Sequence, residues 1–270
     1  MSMNSIVRDY LAYAFANTSR LSKLLNRESL TPVVAMWQEN NYLVIATCDG
    51  YRQHEFRLLM FRDDGNSPAL LHGRVLAFNP AAIAAAARAL NEQLSENDLL
   101  HIDYDDDQTT VSLSAPGITI ELKATESRHK DHIRRFAATF IETERPDTIK
   151  MNAKELLAAL PKPRRNNERM YMLVHFLDNT WQAGMQPELK NWQPTEHNGV
   201  FSADDVQGAP DCKLNIQMLR EALEVAERYH PFAECTIALT KRNEAVLVQA
   251  SVGKVLDFRA YIMPIIKIQR

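Results

Sequence analysis

The stretch "NPAAIAAAARALNEQLSENDLLHIDYDDDQTTVSLSAPG" (79–117) returns later in the chain as "NIQMLREALEVAERYHPFAECTIALTKRNEAVLVQASVG" (215–253), without a gap. Each copy opens on an Asn, whose side chain is suited to cap a helix. Ile83, Ala86 and Leu90 fall in phase with Leu219, Ala222 and Ala226, at the three- and four-residue spacing of one helix face. Behind the helix each copy reads strand, polar turn, strand. Few residues are identical between the copies, so the shared register carries the argument.

The flanking stretches repeat as well. "VVAMWQENNYLVIA" (33–46) matches "YMLVHFLDNTWQAG" (171–184), each a strand running into a tight Asn or Asp turn and a second strand. Helical patterns precede both hairpins, in "IVRDYLAYAFANTSRLSKLL" and "NAKELLAAL". The unit is therefore helix, strands, helix, strands, and it occurs twice. Two prolines in "PKPRRNNER" (161–169) end the second unit's first helix. The expected fold class is α+β, antiparallel sheets with helices gathered on one face. The boundary is expected near Arg145 and Pro146, giving domains 1–145 and 146–270.

Composition narrows the function classes. The chain has 270 residues, 46% hydrophobic and 24% charged, with a net charge of −3. That is an ordinary globular balance, not a polycation coating nucleic acid over its whole surface. Eight glycines are few for phosphate-cradling loops. No apolar run reaches a membrane span and no signal-peptide pattern opens the chain. Cys48, Cys212 and Cys235 are odd in number and far apart, without disulfide or zinc spacing. The expectation is a soluble, cytoplasmic protein without membrane contact.

The sequence carries no recognisable catalytic motif. Gly253-Lys254 lacks the other residues of a P-loop, and Leu58 stands where His54-Glu55 would need a second His for zinc. No GxSxG elbow occurs. "DYDDDQ" (103–108) groups acids but reads as a solvated hairpin turn. "RHKDHIRR" (128–135) reads as a basic surface loop, lacking further ligands for a metal. No catalytic residue, cofactor or metal is expected.

"LVIATCDGYRQHEFRL" (43–58) resembles the "ATDGHRL" type of motif in the bacterial DNA polymerase III beta subunit, the sliding clamp, with one inserted residue and Tyr for His. "AYAFAN" (12–17), "LTPVVA" (30–35) and "RFAATFIETERPD" resemble further clamp segments in the same order. "KLNIQMLREALEVA" (213–226) and "AYIMPI" (260–265) resemble the helix and terminal strand of the last clamp domain. The resemblance implies a DNA-clamp fold with strands outside and paired helices inside, the chain corresponding to the middle and last of three clamp domains. A six-domain ring would then need three copies, a homotrimer.

The resemblance also implies partners. Gly50, Tyr51 and Arg52 would form one wall of an apolar groove for short linear peptides of a DNA polymerase and a clamp loader. Met263, Pro264 and Ile265 would form the other. The apolar run from Tyr261 to Ile266 fits either that use or a plain core strand. Duplex DNA would be met without sequence preference by helix cations: Arg8, Arg20, Lys23, Arg27, Arg88, Lys154, Arg220 and Arg228. Lys162, Arg164 and Arg165 lie just after the third helix. The expected function is a non-catalytic processivity factor. The alternative is a non-ring clamp-fold adaptor that binds replication or repair proteins, and a third reading is an enzyme with an unrecognised site.

Overall fold

The structure is a computed structural model of the chain. It describes residues 4–24, 32–62, 73–105, 107, 109–141, 147–160, 171–177, 180–186, 197–200, 212–229, 234–239 and 245–263. Two compact units emerge: Met1–Ala138 with Gly253–Phe258, and Thr139–Val252 with Arg259–Arg270.

The first unit runs β1 (Asn4–Val7), α1 (Arg8–Leu24), β2 (Val34–Glu39), β3 (Tyr42–Cys48), β4 (Arg52–Leu59), β5 (Phe61–Arg62) and β6 (Leu76–Phe78). It continues with α2 (Pro80–Gln93), β7 (Leu99–Tyr104), β8 (Thr110–Ala115) and β9 (Ile118–Lys123), and α3 (Lys130–Ile141) follows. Strand orders are β5-β1-β7-β8-β9 and β4-β3-β2-β6. The second unit holds β10 (Asp147–Asn152), α4 (Ala153–Ala159), β11 (Tyr171–Leu177), β12 (Thr180–Gln186), β13 (His197–Val200) and β14 (Cys212–Asn215). After these come α5 (Ile216–Tyr229), β15 (Glu234–Leu239), β16 (Val246–Val252) and β17 (Leu256–Ile262), of which Leu256–Phe258 belong to the first unit. Its order β13-β12-β11-β14 repeats β4-β3-β2-β6 element for element.

The repeat seen in the sequence is physical. Asn79 caps α2 by accepting from Ala81 N at 2.8 Å, and Asn215 caps α5 by accepting from Gln217 N at 2.9 Å. Ile83, Ala86, Leu90, Leu219, Ala222 and Ala226 are all buried. The hairpins that follow close on Gly117 and Gly253, with φ of +86° and +54°. That region is costly for any residue with a Cβ. Asn40 makes the β2–β3 turn at φ 52°, which Asn tolerates better than bulkier residues.

Alternation along the first unit's sheet builds two apolar layers. Val34, Met36, Leu43, Ile45 and Phe56 lie on one face, where the Phe56 ring meets Tyr13 of α1 edge-on at 5.9 Å. Val33, Ala35, Trp37, Val44 and Ala46 occupy the other and pack with Ile133 of α3. The unit is thus three-layered, with α1 and α3 on opposite faces of one sheet. Here the expected loop at 128–135 is corrected to the start of a helix. Ser127 Oγ accepts from His129 N at 3.2 Å, and Ile133 sits 2% exposed among apolar neighbours. The basic residues around it are the solvated side of an amphipathic turn.

Candidate functional site

The turn between β3 and β4 is set by Asp49. Its Oδ1 accepts from the backbone N–H of Tyr51 and of Arg52, both at 2.9 Å, an Asx turn. Its Oδ2 lies 3.4 Å from Arg52 Nε. Gly50 sits at φ +84°, and its N–H donates to Cys48 Sγ at 3.3 Å. Burial is the main reason the Cys48 thiol is pushed up to about 12, so it is protonated at neutral pH. The product of this local order is Tyr51, 65% exposed on a turn whose backbone is fully specified. An aromatic so presented offers contact area at little conformational cost.

Behind the turn, β4 is buried along most of its length although it reads Arg-Gln-His-Glu-Phe-Arg. Arg57 Nη1 donates to Glu39 Oε2 at 2.9 Å and to Glu55 Oε1 at 3.3 Å. Its guanidinium lies 5.5 Å from the centre of the Tyr42 ring. Gln53 Nε2 donates to Glu55 Oε2 at 3.3 Å. Glu55 is fully buried, which a carboxylate tolerates only when paired and hydrogen-bonded. Sequence reading missed this network because its members are spaced two apart on β4 and met from β2 and β3. On the opposite face His54 is also fully buried, beside the Phe258 ring at 5.9 Å. His54 and Glu55 therefore point to opposite faces of a strand.

The predicted site residues fall into distinct environments. Of the groove residues, Gly50 and Tyr51 are exposed, Arg52 is buried and tied to Asp49, and Met263 is half-buried. Pro264 and Ile265 lie outside the described residues, as does Arg27 among the cations. Lys23 lies on α1, and Arg88, Lys154 and Arg228 are exposed on α2, α4 and α5.

Three cations are placed otherwise than a phosphate-facing role requires. Arg8 is 6% exposed and donates to Leu94 O at 2.8 Å, Ser95 O at 3.0 Å and Asn91 Oδ1 at 2.9 Å. Arg220 is 7% exposed and donates to Leu157 O at 2.9 Å and Leu160 O at 2.7 Å. Each guanidinium neutralises the carbonyl end of the neighbouring helix, α2 or α4, where the helix dipole is negative. Arg20 is half-buried, with Nε and Nη2 enclosed and near enough to His54 to disfavour its protonation.

In the acidic stretch Asp103 and Tyr104 end β7, and the carboxylate of Asp105 organises the backbone that leads into β8. Asp105 accepts from Thr110 N and from the Thr109 hydroxyl, both at 2.9 Å. These bonds, led by the one from Thr110 N, hold its pKa down at about 2. Beside it, a cleft of 440 Å³ is lined by Arg74, Asp107, Lys130 and Asp131 among others, charges of both signs. Among the described residues no helix is long and apolar enough to cross a membrane.

No protein-family model matches this sequence, and no curated protein matches it. Solved structures do. The chain is similar to a Bacillus subtilis DNA polymerase sliding clamp, at 16% identity and a TM-score of 0.67, covering 98% of this chain and 64% of that one. It is similar to Caulobacter crescentus pol III beta at 12% identity and a TM-score of 0.70, over 99% and 67%. It is similar to A. fulgidus PCNA, solved with the C-terminal region of FEN-1, at 13% identity and a TM-score of 0.62, over the full length of both. The chain therefore spans about two thirds of the length of the bacterial clamps it matches and all of the archaeal one. Its two repeated α+β units have the fold of the DNA sliding clamps.

Proposed function

We propose that this chain is a sliding-clamp-like processivity factor, without catalysis of its own, built from clamp-like domains 1–145 and 146–270. Three copies joined head to tail would encircle duplex DNA. The observation that carries the reading is a clamp fold spanning the chain, present as two copies of one unit. A ring restricts a partner's loss from DNA by topology, raising its effective concentration without a tight contact. Such a ring needs a separate loader to open it.

The repeat suggests which edges join. β17 is the counterpart of β9, and β4 of β13. In the first unit the start of β17 runs beside β4, with Leu59 N donating to Val255 O at 2.9 Å. β9 and β13 are terminal in their sheets among the described residues. Pairing β9 of one copy with β13 of the next would reproduce the β17–β4 contact between chains, and repetition of one rotation closes a ring. Light scattering over a concentration series tests this. The expected mass is about 92 kDa, three times the 30.8 kDa chain. A monomer at every concentration would remove the self-assembled ring.

In this reading Gly50, Tyr51 and Arg52, with Met263, Pro264 and Ile265, receive short peptides of a polymerase and a loader. Tyr51→Ala combined with Met263→Ala is expected to weaken binding of a clamp-motif peptide at least about tenfold, since exposed aromatics dominate such contacts. Titration calorimetry on protein of unchanged mass reads this, and an unaltered Kd would end the groove assignment. A non-ring adaptor is the second reading. The burial of Arg8 and Arg220, which removes two cations from the helix surfaces, is the observation in its favour.

A further inference from the structure

The crown of the turn that presents Tyr51 stands clear of the rest of the first unit. Among the described residues, a Cβ placed on Gly50 would meet no atom within 4 Å beyond its chain neighbours. Packing therefore does not shape the crown, and its own hydrogen bonds do. The Asp49 N–H donates to Arg52 O at 3.1 Å, and the Gly50 N–H to Cys48 Sγ at 3.3 Å. The N–H groups of Tyr51 and Arg52 both donate to Asp49 Oδ1 at 2.9 Å. Every backbone donor from Asp49 to Arg52 is thus engaged, two of them by one carboxylate oxygen. That carboxylate is itself largely covered. The Asp49 and Arg52 side chains are 14% and 7% exposed, with Arg52 Nε 3.4 Å from Asp49 Oδ2, so of the turn's side chains only the Tyr51 ring is offered outward. We infer that Asp49 is the positioning residue of this site. It acts on a partner peptide through Tyr51 alone, as a hydrogen-bond acceptor and not as a charge, and Arg52 serves by holding Asp49 instead of touching the peptide.

This inference rests on the peptide-binding reading of Tyr51 and adds a claim about how the ring is held. An anchor on a loosened turn must be ordered when the partner arrives, and that cost weakens binding although every contacting atom is still present. The test is a double-mutant cycle on the full chain, read by fluorescence anisotropy of a labelled clamp-motif peptide. Asp49→Ala is expected to weaken binding about tenfold when Tyr51 is present and less than about twofold in a Tyr51→Ala chain, where nothing is left to position. Asp49→Asn keeps an Oδ1 acceptor without the charge and should bind within about threefold of the unaltered chain. Hydrogen exchange at the Tyr51 and Arg52 amides should quicken in Asp49→Ala and stay slow in Asp49→Asn. An equal loss from Asp49→Ala with and without Tyr51 would overturn the inference, since Asp49 would then act otherwise than through the ring. A loss of about tenfold in Asp49→Asn would overturn it too, by making the charge the active feature; this arm decides alone if Asp49→Ala fails to fold. Unchanged affinity in Asp49→Ala, with Tyr51→Ala still weakened, would overturn the positioning role and leave the groove reading standing. Unchanged affinity in Tyr51→Ala would overturn the groove reading and this inference with it.

Discussion

Phe56→Ala is expected to cost the first unit about 3–5 kcal/mol, the range for removing a large buried aromatic. The Phe56 side chain is fully buried and central to three elements. It meets Tyr13 of α1 edge-on at 5.9 Å, and Phe258 of β17 at 5.0 Å with planes tilted by 40°. Its own strand, β4, begins at Arg52, where the Asp49-centred turn presents Tyr51. The deletion therefore leaves a cavity where helix, central strand and β17 meet. Part of the cost is lost transfer energy, and part is the void that surrounding rings fill only incompletely. Phe56→Leu, which keeps most of the volume, should cost less than about 1.5 kcal/mol. Denaturant unfolding of both variants, followed by far-UV circular dichroism, is the measurement. A cost below about 1 kcal/mol for the alanine variant would mean that Phe56 does not hold these elements together.

Local signals were legible where local physics fixes them. The Asn caps of α2 and α5, the apolar stripes behind them and the positive-φ glycines at 117 and 253 all obey rules spanning fewer than ten residues. Hence the repeat and the α+β class could be read from the sequence, while the resemblance to clamps rested separately on short motifs such as that at 43–58. Long-range pairing was not legible. Arg8 at the head of α1 has the look of a solvated cation, but its acceptors lie 83 to 87 residues away. Arg220 likewise bonds carbonyls 60 and 63 residues upstream. Around the start of α3, six Arg, Lys and His residues within 128–135 hid Ile133, which ties that start to the sheet. β4 has no readable alternation because polar residues on both faces are buried, one face paired by charge and the other packed on rings.

His54 gives that buried polar strand a measurable consequence. Its ring is fully enclosed, and neither nitrogen has a hydrogen-bond partner among the described residues. Burial first, then the positive charges of Arg52 and Arg20, hold its pKa well below the ordinary imidazole value. The folded chain therefore keeps His54 neutral, whereas the unfolded chain binds a proton below about pH 6.5. The stability this ring contributes is present in full above that pH and is lost as pH falls toward the folded value. In that window the slope approaches about 1.4 kcal/mol per pH unit wherever the unfolded ring is protonated and the folded ring is not. Asp105, held down at about 2, titrates below this range, and Asp9, raised from 3.8 by partial burial, gives a slope of opposite sign near its own value. His54→Leu removes the proton-binding group while keeping an apolar side chain against Phe258. The variant is expected to flatten the decline of unfolding free energy below about pH 6.5 by up to about one proton's worth of slope. An identical decline in both proteins would place the acid sensitivity elsewhere. A flattened one would identify the buried face of β4, two residues from the exposed Tyr51 turn, as an acid-sensitive point of the first unit.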